Sequence, residues 1–182
     1  AMFIIKAKIT SKGYLDKLKA RLVARGDLQT KHIDDDVWAP CVFARTFKTF
    51  LCFAVKHNRA VRQLDFVGAF CQGFMKQRMF LQLPIEYKRF FPQYKEYFEK
   101  PLLLAKSIYG INVAHKVFAD DLHDWLVNKE GQQSKLCKQL MIFVRSDIDP
   151  GLYVWRGEKE DEFCFLICYV DDCCYFGSND LI

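Results

Sequence analysis

Two adjacent carboxylates interrupt an otherwise apolar stretch near the end of the chain, and they constrain it more than any other feature. The run Phe163-Cys164-Phe165-Leu166-Ile167-Cys168-Tyr169 leads into Val170-Asp171-Asp172, and Cys173-Cys174-Tyr175-Phe176 follows before Gly177. Short apolar runs rich in aromatic and branched residues, broken only by a short polar step, predict a β-hairpin with the aspartates at its tip. Acids at the end of a buried strand pair cost stability unless something compensates them. A divalent cation would do so. The alternative is a solvated turn in which Asp-Asp serves as ordinary turn residues.

The chain has 182 residues and no evident linker, which fits one domain, or one domain with two lobes. Hydrophobic residues make up 51% and aromatic residues 15%, enough for a sizeable core. No stretch approaches the ~20 apolar residues of a transmembrane helix, so no membrane partner is expected. The start, Ala1-Met2-Phe3-Ile4-Ile5-Lys6, is too short and too soon charged for a secretion signal. An intracellular, cytoplasmic protein is therefore expected. A start at Ala1, and an end at Leu181-Ile182 without turn or cap signals, predict a fragment of a longer chain.

The net charge of +5 is uneven. Residues 1–25 hold Lys6, Lys8, Lys12, Lys17, Lys19, Arg21 and Arg25 against Asp16 alone, a local net of +6. That asymmetry points to a polyanion partner; the alternative is a solvated basic face. None of the eight cysteines forms a C-x-x-C, and the four histidines lack zinc-site spacing with them. Reduced core thiols are expected rather than a disulfide framework.

Along the chain, Phe3–Ile9 and Lys19–Gly26 predict a basic hairpin about the turn Ser11-Lys12-Gly13. Period two puts Lys19, Arg21 and Arg25 on one face of it. Asp34-Asp35-Asp36 reads as a loop. Pro40 suits the first turn of a helix, and Phe43, Phe47, Phe50, Leu51, Ala54 and Val55 form its apolar stripe. Ala60–Val67 predicts a strand ending near Asp65, and Phe80–Pro84 a short strand stopped by proline. Residues 86–100 lack periodicity and read as a loop. Leu102–Ala105 predicts a buried strand, and Ala114–Leu126 an amphipathic helix running to about Gly131. Leu152–Trp155 is a further strand. This order predicts an α+β fold.

Two-metal nucleotidyl transfer needs acids converging from separate strands, with the ions about 3.5–4 Å apart. Asp65 could join Asp171 and Asp172, because it closes an apolar strand and is the only acid between Val61 and Leu83. A turn-capping role remains the alternative.

With these residues the chain resembles the reverse transcriptase domain of copia-type LTR retrotransposons. Lys19-Ala20-Arg21-Leu22-Val23-Ala24-Arg25-Gly26 with Gln29, Trp38-Ala39-Pro40, Gln63-Leu64-Asp65-Phe66-Val67-Gly68-Ala69-Phe70, Ser107-Ile108-Tyr109-Gly110, Ser146–Val154 and Tyr169-Val170-Asp171-Asp172 follow the family's motifs in order. The resemblance implies RNA-directed DNA polymerisation from dNTPs on a primed RNA or DNA template. It implies a right-hand fold with an antiparallel palm sheet packed on helices and no thumb. The fingers would comprise about residues 1–60 and 73–105, and the palm about 61–72 and 106–182. Asp65, Asp171 and Asp172 would be catalytic and, with the Phe66 carbonyl, would hold two Mg²⁺, with Mn²⁺ as the alternative ion. Lys19, Arg21 and Arg25 would meet phosphate, and Phe70 would exclude a ribose 2′-hydroxyl. The thumb, RNase H and integrase would lie elsewhere in a Pol polyprotein, within virus-like particles if the element is active. One segment departs from the family pattern: Val113 stands where the family has Gln, and His115 where it has Pro. The stretch around Lys135–Lys138 reads as an insertion. A decayed, inactive remnant that still binds nucleic acid is the alternative these departures raise.

Overall fold

The computed structural model describes residues 1–29, 36–128 and 141–178. It is a mixed α/β structure with antiparallel sheets, as the α+β expectation requires. The chain divides into two compact units, Ala1–Val37 with Phe70–Val117, and Trp38–Ala69 with Phe118–Ile182.

Among its described residues the first unit holds a hairpin and a second, short antiparallel strand pair. Strands β1 (Met2–Ile9) and β2 (Leu15–Val23) pair antiparallel, and β4 (Phe80–Leu81) pairs with β5 (Leu102–Leu103). The expected buried strand at 102–105 shrinks to two residues, with Leu103 57% exposed. Residues 86–100 are not the expected loop. Helix α2 (Ile85–Phe90) starts after Pro84, and a 3₁₀ segment covers Pro92–Tyr97. Tyr87 ties this segment together, with ring contacts to Phe3, Phe91 and the buried Phe98.

The second unit is built on a five-stranded antiparallel sheet in the order β3-β9-β8-β7-β6. Its strands are β3 (Arg62–Asp65), β6 (Val144–Arg145), β7 (Leu152–Arg156), β8 (Phe163–Tyr169) and β9 (Asp172–Gly177). Helix α1 (Ala44–Lys56) buries Phe50 and Ala54 against Ile167 and Phe176, flanked by Leu152, Phe163, Phe165 and Cys174. These contacts group residues 38–69 with the sheet. The opposite sheet face carries Tyr153, and its hydroxyl lies 3.3 Å from His123 Nδ1 on helix α3 (Ala114–Val127). The expected end of this helix near Gly131 and the Lys135–Lys138 stretch lie outside the described residues.

Helix α1 begins at Ala44 rather than at Pro40. Residues 41–42 are used otherwise: Cys41 bridges Tyr169, and the Val42 N–H donates to the Cys168 carbonyl at 2.9 Å. The chain thus runs beside the end of β8 before it can turn into a helix. Among the described residues, no helix is long and apolar enough to cross a membrane.

Candidate active site

Register brings the second unit's acids together. Asp65, the last residue of β3, lies directly opposite Asp172, the first residue of β9. Asp172 in turn faces Tyr169 across the β8–β9 hairpin, leaving Val170 and Asp171 as its two-residue turn. Both the Cys168 N–H and carbonyl bond away from β9, to the Gly151 carbonyl and the Val42 N–H. Backbone polarity alternates along a strand, so Tyr169 bonds toward β9 and Asp172 toward β8. Asp65 and Asp172 therefore form a non-hydrogen-bonded pair, the type whose Cα atoms are about 4.5 Å apart and whose side chains are closer.

Two like charges directly opposite each other destabilise a sheet. Asp65 and Asp172 are exposed and Asp171 is partly buried. Among the described residues, no lysine or arginine pairs with any of the three. The donor set is three hard carboxylates at one sheet end, which suits Mg²⁺ or Mn²⁺. Among the described residues, however, no three acidic, histidine or cysteine side chains are already gathered as an ion would hold them. The three acids share one end of the sheet, and Asp65 and Asp172 share a face, without being drawn into coordination geometry.

The turn that presents Asp171 is strained. Val170 has φ +59°, and a β-branched residue in the left-handed region is a conformational outlier. Such outliers persist where surrounding pairing over-determines them; here β8 and β9 pair up to Tyr169 and Asp172.

Phe66, the residue after β3, accepts the Ala69 N–H at 3.3 Å, closing a β-turn with Gly68 at φ +64°. A carbonyl has two lone pairs, so this bond leaves capacity for a cation. The Phe66 ring packs edge-on against Phe118 at 5.4 Å.

In the first unit, Lys6 faces Lys19 and Lys8 faces Lys17 across the β1–β2 hairpin, with Arg21 opposite Ile4 on the same face. Arg25 does not share that face. It lies beyond Val23, where β2 ends, and its guanidinium pairs with Asp27 at 2.6 Å. That hydrogen bond raises the Arg25 pKa and lowers the Asp27 pKa. Arg25 also lines a cleft of about 460 Å³ with Gln29, Gln82 and Ile111.

Arg21 and Phe70 meet at one residue. The Arg21 guanidinium lies 5.2 Å from the Tyr109 ring centroid, and the Phe70 ring packs edge-on to Tyr109 at 5.2 Å. His115 packs on Phe70 at 4.6 Å. The Tyr109 carbonyl accepts the Ala24 N–H at 2.8 Å. Gly110 follows at φ +89°, where a side chain would collide with Ala24 and Val23. Tyr109 and Gly110 thus anchor the end of β2 to the segment bearing Phe70. Val113 is buried.

Two features escaped sequence reasoning. Asp149 is 1% exposed, and from sequence it carries no role beyond the Ser146–Val154 motif. Its oxygens accept the N–H groups of Phe43 and Gly151. Its only sequence signal was the Ser146-Asp147-Ile148-Asp149-Pro150-Gly151 context. The second feature is the pair Cys168 and Cys173, directly opposite in the hairpin. The neighbouring Cys173 thiol and burial together push the Cys168 pKa up.

Comparison with known proteins agrees with the motifs. The family described as "Reverse transcriptase (RNA-dependent DNA polymerase)" matches residues 2–182. The retrovirus-related Pol polyprotein from transposon RE2 of Arabidopsis thaliana is 26% identical over 99% of this chain. That from transposon RE1 of the same plant is 28% identical over 97%. That from transposon TNT 1-94 of Nicotiana tabacum is 27% identical over 97%. The chain spans only 11–12% of the length of these relatives. No solved structure matches.

Proposed function

The chain belongs to the reverse transcriptase (RNA-dependent DNA polymerase) family, and we propose that Asp65, Asp171 and Asp172 are the acids through which it serves nucleotidyl transfer in a copia-type retrotransposon polymerase. The reaction joins a primer 3′-hydroxyl to the α-phosphate of a dNTP, and pyrophosphate leaves. The observation that carries this reading is the register of Asp65 opposite Asp172, with Asp171 in the adjoining turn.

Divalent ions bound by these acids supply Lewis-acid activation of the attacking hydroxyl and neutralise charge on the leaving group. The chain's own contribution is to hold the ligands. Asp65 offers a carboxylate from the end of β3, Asp172 one from the start of β9, and Asp171 one from the turn. The Phe66 carbonyl adds an uncharged oxygen. The like-charge repulsion between Asp65 and Asp172 becomes useful when cations arrive, because binding relieves it.

The five-stranded sheet with α1 and α3 corresponds to a palm, and the unit carrying the β1–β2 hairpin to fingers. Lys19 and Arg21 are the cations for phosphate, either of the triphosphate or of a template backbone. Arg25 would have to leave Asp27 to join them. Phe70, buried against Tyr109, is the candidate ring for sugar discrimination. Thumb, RNase H and integrase are assigned to the remainder of a Pol polyprotein, and the site of action to cytoplasmic virus-like particles.

The test is primer extension by a longer polyprotein segment that includes this chain. Asp171→Asn should abolish extension while leaving the circular dichroism spectrum unchanged. Extension that survives the substitution removes the assignment. A wild-type segment that binds primed template with steep salt dependence yet never extends it would be the inactive remnant instead.

A further inference from the structure

Cys168 and Cys173 occupy the rung immediately below the Tyr169–Asp172 pair. Because the Cys168 N–H and carbonyl both bond away from β9, the two cysteines form a non-hydrogen-bonded pair. Such pairs place Cα atoms about 4.5 Å apart, inside the range of roughly 4.4–6.8 Å that a disulfide spans. Other cysteines nearby lack this relationship: Cys174 sits on the opposite sheet face, toward Phe176 and α1, and Cys164 faces Gly177.

We propose that Cys168 and Cys173 are a covalent modification site, a cross-strand dithiol that a small-molecule disulfide converts into an intramolecular bond beneath the Asp171-Asp172 turn. This inference does not depend on the polymerase reading. In the first step one cysteine thiolate attacks the small disulfide, forming a mixed disulfide and releasing one small thiol. The second cysteine then attacks the protein sulfur of that mixed disulfide, forming the Cys168–Cys173 bond and releasing the second small thiol. The protein loses two electrons and two protons, and the small disulfide is reduced to two thiols.

Both side chains are buried, at 5% and 1% exposure, so the oxidant reaches them only when the hairpin end opens. The exposed Cys52 and Cys71 meet it first and take up mixed disulfides. The bond would lock the rung adjacent to the acid pair and close a loop of only four intervening residues.

The experiment incubates the intact chain with oxidised glutathione, blocks remaining thiols by alkylation, and maps cysteine states by peptide mass spectrometry. The expected result is a Cys168–Cys173 link in the wild type and in Cys174→Ser, and none in Cys173→Ser. Recovery of Cys168 and Cys173 as alkylated thiols while Cys52 and Cys71 carry glutathione overturns the proposal. So does a link from Cys168 to Cys174 or to Cys41. If Cys173→Ser does not fold, the wild-type and Cys174→Ser maps decide alone.

Discussion

The Asp149 carboxylate accepts the Phe43 N–H at 2.9 Å across 106 residues of sequence. Its other oxygen accepts the Gly151 N–H at 2.9 Å, and the Ser146 hydroxyl accepts the Asp149 N–H in turn at 3.3 Å. One buried acid thus fixes the start of α1 to the start of β7. Phe43 is the N-cap residue and its own side chain makes no cap hydrogen bond, so this remote carboxylate meets the helix's positive end. Asp149→Ala leaves the buried Gly151 N–H and the part-buried Phe43 N–H unpaired and should destabilise the protein by about 1–3 kcal/mol in urea unfolding. A change below roughly 0.5 kcal/mol would mean water replaces the carboxylate at no cost.

Neutralising one member of the opposed acid pair should have two opposite effects. Asp65→Asn removes a like-charge contact and should raise stability without metal by about 0.2–1 kcal/mol. It should also reduce the rise in melting temperature that Mg²⁺ or Mn²⁺ gives the wild type. Calorimetry of both proteins with and without the ion checks both effects. An equal metal response would separate Asp65 from the ions.

Much of this was legible in the sequence, and the reason lies in locality. The β8–β9 hairpin was readable because two dense apolar runs flank a short polar step. The strand before Asp65 carried a weaker signal, since Arg62-Gln63-Leu64-Asp65 holds a single apolar residue and is exposed throughout. What failed depends on distant partners. Pro40 looked like a helix start, yet residues 41–42 pair with the end of β8, which no local pattern announces. Arg25 fitted the period of β2, but Asp27, two residues on, holds it where the strand has ended. Residues 85–97 carry too many aromatics for a clean helical stripe, so α2 was invisible until Tyr87 was seen against Phe3 and Phe98. The opposition of Asp65 and Asp172 was a requirement of the chemistry and of the family resemblance, not something spacing could establish.

Val170 holds a left-handed conformation at φ +59°, which costs an L-residue roughly 1–2 kcal/mol. Val170→Gly removes that penalty and adds about 0.5–1 kcal/mol of unfolded-state entropy. Thermal unfolding should show a net gain of up to about 1 kcal/mol. A clear loss would indicate that the valine side chain packs more strongly than its partial burial suggests.

Alkaline pH should weaken the second unit. Burial pushes the Cys164 thiol from its ordinary 9.0 up to about 11. Burial also pushes the Tyr153 hydroxyl from 10.0 up to about 12. In both cases the folded state holds the proton more tightly than the unfolded chain. The associated stability is complete below pH 9 and is lost as pH rises toward 11 and then 12. While one group is protonated only in the folded state, stability should fall by about 1.4 kcal/mol per pH unit. Cys164→Ala should flatten the first part of that decline in urea melts from pH 8.5 to 11; an unchanged slope would exclude the thiol as its source.

Strand β9 divides two chemistries by parity alone. Its even-numbered residues, Asp172, Cys174 and Phe176, share the side of α1, while Cys173 and Tyr175 face the other way. Gaining or losing a single residue at the Val170-Asp171 turn would exchange these sides and carry Phe176 away from its place against Phe50 of α1. The hairpin is therefore a place where point substitutions can be survived but single-codon insertions and deletions cannot.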